Sequence, residues 1–112
     1  MKIQTSTGES ITLTDDQARI LLKVVEQEEW GVGATRLRYE SNCSSPRRET
    51  VTAQALCRKG LLELIRKHEP HRGVNGKTVT HSVYRATLEG FWQGDTLRAH
   101  FRKRRAQAVQ GG

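Results

Sequence analysis

The sequence of 112 residues predicts a single α+β domain. Three observations carry that prediction. A capped amphipathic helix comes after a short hairpin near the start; a second helix, entered through Ser45 and Pro46, stops at Gly60; and two β-rich runs enclosing a basic loop come directly after it. The expected organisation is an N-terminal hairpin over residues 1–13, a core over 14–94, and a basic C-terminal helix and tail over 95–112.

Residues 2–5 and 10–13 flank Ser6, Thr7, Gly8 and Glu9, with Gly8 supplying the turn conformation of a hairpin. Thr14, Asp15, Asp16 and Gln17 then spell a capping box. The Thr14 hydroxyl can accept from the third helical amide, Gln17 can reach back, and the aspartates suit the positive end of the helix. Ala18, Leu21, Leu22 and Val25 recur at helical spacing as a core stripe, and the helix should end near Glu29. Ile20 and Val24 lie almost opposite that stripe. Cover by a second element such as the C-terminal helix is preferred there to a dimer face, and Trp30 is expected to pack as an anchor at the helix end.

Residues 34–41 carry two patterns at once. Ala34, Leu37 and Ser41 keep helical spacing, whereas Leu37 and Tyr39 alternate with Arg36, Arg38 and Glu40 as a strand would. A helix is expected because residues 42–46 form a turn cluster that leads into another helix. Ser45 caps that helix, Pro46 suits its first position and Gly60 stops it, so it should span residues 46–59. If Leu56 faces the core, Ala53, Thr52 and Glu49 share its side. Arg47, Thr50, Gln54 and Arg58 then gather on the outer side, with Arg48 in the first turn and Val51 at the border.

Residues 61–65 read as a short buried strand and residues 78–86 as its return, with Tyr84 and Ala86 on one face. Between them a long loop carries Arg66, Lys67, Arg72 and Lys77, along with Pro70, Gly73 and the turn pair Asn75 and Gly76. Thr87 caps the next helix, for which Leu88, Phe91 and Trp92 form the expected core stripe. Gly94 and Asp95 mark a stop and a fresh start, because Leu97, Phe101 and Ala108 fall about half a turn out of phase with that stripe. This second apolar side is the expected contact of a homodimer, if one forms.

Charge is divided along the chain. Residues 1–33 hold three Lys/Arg against six Asp/Glu, whereas residues 45–87 hold nine against three, a net of +6 within a total of +7. A basic segment set against an acidic one points to a polyanion on one face, through counterion release and steering. With six aromatic residues in all, a surface that stacks single-stranded bases over many nucleotides has few residues to be made from, so a duplex is expected. Arg, Thr and Gln are residue types that reach major-groove base edges.

Two strings sharpen this. Leu56 to Leu62, reading LCRKGLL, resembles the recognition-helix exit of MarR-like and related bacterial regulators; Tyr84 to Gly90, reading YRATLEG, resembles their second wing strand passing into the next helix. The chain thus resembles a winged helix-turn-helix domain over roughly residues 15–92, and a compact regulator of phage or plasmid type fits better than the larger MarR-like dimers. The resemblance implies a three-helix core with a β-hairpin wing, and sequence-specific binding of double-stranded DNA in transcription regulation. Helix 46–59 would enter the major groove and wing 66–81 would contact the backbone. The DNA-binding residues so implied are Arg47, Arg48, Thr50, Gln54, Arg58, Arg72, Asn75 and Lys77, with further phosphate contacts from Arg36, Arg38, Arg102 and Lys103. The alternative is a winged-helix module for a protein partner or structured RNA.

Other chemistries are poorly served. Cys43, Cys57, His68 and His71 have neither a paired-cysteine nor a paired-histidine zinc spacing, so no metal or other cofactor is expected. The histidines lack an acidic framework beside a nucleophile, which argues against an enzyme. Gly76, Lys77 and Thr78 lack the glycine spacing of a phosphate-binding loop. Two cysteines, and no apolar run of membrane-span or signal-peptide length, predict a cytoplasmic protein with reduced thiols.

Overall fold

The computed structural model describes residues 1–39, 47–72, 76 and 78–111, and within these the chain forms four helices and two small antiparallel sheets, an α+β arrangement. Strands β1 (Lys2–Gln4) and β2 (Ser10–Thr12) pair with Ile3 opposite Ile11, closed by a turn in which Gly8 takes φ +87°. The Met1 ammonium donates to the Leu13 carbonyl and the Leu13 amide to that of Met1, at 2.9 and 2.8 Å. Ile3 and Leu13 are buried, so this otherwise marginal hairpin leans on the core.

Helix α1 (Asp15–Glu29) begins at the expected capping box. The Gln17 amide donates to the Thr14 hydroxyl and the Thr14 amide to the Gln17 side chain, each at 3.1 Å. Ala18, Leu21, Val24 and Val25 are all buried and Ile20 is half-buried against the same cluster, so apolar side chains enter the core from more than one side of α1. A helix clothed this widely is a central one, and its neighbours include all three later helices and the larger sheet.

The segment expected to be a second helix is instead strand β3 (Thr35–Tyr39). Thr35 and Leu37 are buried while Arg36 is exposed, the period of two that the alternation of Leu37 with the arginines encodes. Helix α2 (Arg47–Arg58) is therefore preceded by a strand, and the turn cluster between them lies outside the described residues.

Strands β4 (Leu62–Arg72) and β5 (Thr78–Ala86) form the main hairpin, and β5 lies centrally in the order β3-β5-β4. Most of the expected loop is strand. The ladder runs from Leu62 opposite Ala86 to Arg72 opposite Thr78, with register shifts between Leu64 and Arg66 and between Arg66 and Glu69. Pro70 lies opposite Thr80 on β4, an edge strand, which is where a sheet tolerates proline.

Helices α3 (Leu88–Trp92) and α4 (Gly94–Gly111) come next, broken at the expected glycine. Thr87 caps α3 by accepting from the Gly90 amide at 3.1 Å, and its hydroxyl donates to the Gly60 carbonyl at 2.7 Å. The expected core stripe on α3 is not one. Leu88 is 88% exposed and Trp92 62%, with Phe91 exposed as well, while Gly90 and Gln93 face inward. The reason is proximity: α3 lies so close to Leu61 that only a glycine fits at position 90. Gln93 meets its buried polar demand by donating to the Gln4 carbonyl at 2.7 Å. Leu97 is buried in the chain's own core and Phe101 is half-buried against it, so Leu97 cannot form the expected dimer contact; the side chain of Ala108 is not described.

Candidate nucleic-acid interface

Ala53 and Leu56 seat α2 in the core, and Thr50 joins them at 2% exposure. Thr50 is thus an inward residue, not the groove-facing one expected. The seating is centred nearer Ala53 than Leu56, and at 100° per residue that rotation carries Thr50 inside. The same rotation brings Val51 fully out, at 57% exposure, beside Gln54 and Arg58, both exposed. Arg47 lies one turn before Val51 and Arg48 is next to it in the helix; their side chains are not described.

The far end of α2 is fixed by a glycine-centred stop. Gly60 takes φ +78°, its amide donates to the Cys57 carbonyl at 3.0 Å, and the Leu61 amide donates to the Leu56 carbonyl at 3.0 Å. This double closure satisfies carbonyls that a helix end otherwise leaves open. Lys59 is committed inward, donating through Nζ to the Thr12 carbonyl at 2.7 Å and to Gln17 at 2.9 Å. Lys23 pairs with Glu49 at 3.8 Å across α1 and α2. Burial pushes the half-buried Cys57 thiol up, which fits a packing residue more than a reactive one.

The β4-β5 hairpin leaves the sheet on the strand that comes directly after α2, and Lys67 is exposed along it. Arg72 ends β4, with its side chain not described; Asn75 and Lys77 lie outside the described residues. Arg36 is exposed on β3, where Arg38 also falls with its side chain not described. Arg102 and Lys103 are exposed on α4. Two other cations of α4 are bound to acids of α1. Arg98 donates to both Glu29 oxygens, at 2.7 and 3.1 Å, and to Asp95 at 2.9 Å, which raises its pKa; Arg104 donates to Asp15, whose carboxyl it holds below the usual range.

A cleft of about 650 Å³ between α1 and α4, walled by Trp30 at 68% exposure, has no counterpart in the sequence reading. Trp30 is not the packed anchor expected of it. Its setting carries a signal, since Gly31 and Gly33 come after it at φ +77° and +96°, a break in regular backbone directly where α1 ends. Among the described residues no cluster of three potential metal ligands occurs, and no helix is long and apolar enough to cross a membrane.

No family model matches the chain. Searches of curated proteins and of solved structures likewise find no match.

Proposed function

We propose that the protein binds double-stranded DNA sequence-specifically as a winged-helix-type transcription regulator, reading the major groove with α2 and touching the backbone with the β4-β5 hairpin. The observation that carries this reading is the solvent face of α2. Val51, Gln54 and Arg58 stand exposed on a helix whose other side is locked into the core, and the adjoining hairpin comes from the most basic part of the chain. Arg58 can bind guanine, Gln54 adenine, and Val51 a thymine methyl. The helix-turn-helix element is no part of the proposal, since a strand precedes α2; the helix and wing remain. Thr50 is left out of the proposed contacts for its burial.

Selection from a random duplex pool at moderate salt tests the reading. An enriched motif is expected, with binding weakened on the order of 5- to 100-fold by Arg47→Ala, Gln54→Ala or Arg58→Ala at unchanged thermal stability. Retention of every duplex alike, or affinity indifferent to salt, would sink it. A protein partner is the second reading. Leu88 and Trp92 favour it, because two large apolar side chains one turn apart on solvent mark an interaction surface.

A further inference from the structure

The cleft between α1 and α4 plays no part in duplex reading. At about 650 Å³ it has the size of a small-molecule site. We propose that it binds a purine nucleoside monophosphate. The exposed indole of Trp30 offers a stacking face, and Phe101 adds a second aromatic wall, with the Arg19 guanidinium 5.9 Å from its ring centroid.

The cations define the other end of the ligand. Arg19, Lys23, Arg104 and Arg105 line the cleft against Glu26 as the one acid among the described lining residues, so an anion is the complementary guest. Arg104 is taken by Asp15 and Lys23 lies 3.8 Å from Glu49, whereas Arg19 and Arg105 form no ion pair among the described residues. Two guanidinium forks of this kind suit phosphate oxygens. Glu26 and Gln27 sit four and three residues before Trp30, on its side of α1, and together offer a carboxylate acceptor and an amide that both donates and accepts. These groups match the edge of a purine stacked on the indole. Inorganic phosphate would leave the aromatic walls unused, and a simple aromatic acid would leave Glu26 and Gln27 without partners; a purine nucleotide engages all three sets.

The test uses the full chain carrying Trp92→Phe, which removes an exposed tryptophan outside the cleft and leaves Trp30 as the only reporter. It is titrated with AMP and with GMP, in the absence of DNA. Saturable quenching of Trp30 is expected, with adenosine and inorganic phosphate each bound about tenfold more weakly or worse, and with Arg105→Glu weakening AMP by a similar factor, the cost of a charge-assisted hydrogen bond. Calorimetric titration of the unsubstituted chain should give the same order of affinities. No saturable quenching, phosphate binding as well as AMP, or Arg105→Glu matching its parent would each overturn the proposal. Since DNA is absent, such a failure leaves the duplex-binding reading untouched.

Discussion

A methyl group at Gly90 would sit 1.9 Å from the Leu61 carbonyl oxygen, backbone that cannot move without shifting the start of β4. Gly90→Ala should therefore cost about 3 kcal/mol or more in urea denaturation, at the upper end of overpacking effects. Gly8 is required for a different reason, its φ of +87° in open space, and Gly8→Ala should cost only about 1 kcal/mol. Asp15 supplies a pH-dependent counterpart. The Arg104 hydrogen bond depresses its carboxyl, so its stabilisation is present above the unfolded pKa near ~3.9 and is lost as pH falls through the lower folded value. Thermal melts should show Asp15→Asn less stable than the parent at neutral pH, with the gap closing below about pH 4. A gap that persisted in acid would mean that lost packing, not charge, explains the difference.

At the scale of elements, β3 makes the most direct prediction. Leu37→Ala removes a side chain buried in the core cluster and should cost about 2–5 kcal/mol, whereas Arg36→Ala, one residue away on the exposed face, should stay within about 0.5 kcal/mol. Equal losses in chemical denaturation would contradict the strand. The elements legible in the sequence are those whose chemistry is local. Thr14 with Gln17, Gly60, Thr87 and Gly94 each act within a few residues of themselves, and each stands at the element boundary its residue type implies. The elements that could not be read depend on a distant partner. The alternation in β3 needs β5 beside it to outweigh helical spacing, and the extension of β4 to Arg72 needs the same strand. Leu88 and Trp92 mislead because size alone argues for the core, while the close approach of α3 to Leu61 gives the inner side to Gly90. On α2 the outward Gln54 and Arg58 are legible from the position of Leu56, but the inward rotation of Thr50 is not, since it turns on how closely Ala53 lets the helix approach.

Across the whole molecule, acidic and basic segments are joined by ion pairs as well as separated along the chain. Arg98 with Glu29 and Arg104 with Asp15 fasten α4 onto α1, so part of the positive charge of the last helix is answered within the protein. The cations of α2 and its hairpin are answered in this way only in part, Arg85 by Glu63 at 3.0 Å, because their segment holds nine Lys/Arg against three Asp/Glu. The proposed duplex should therefore release counterions mainly through residues 45–87. The measurable consequence is the slope of log affinity against log salt, which changes by about one for each phosphate-contacting cation removed. Exchanging Lys67 for Gln should make that slope shallower by about one. Exchanging Arg98 for Gln should leave it unchanged while lowering the melting temperature, because that guanidinium is already held by Glu29 and Asp95. A slope that responds to Arg98 and ignores Lys67 would move the polyanion from the hairpin to α4.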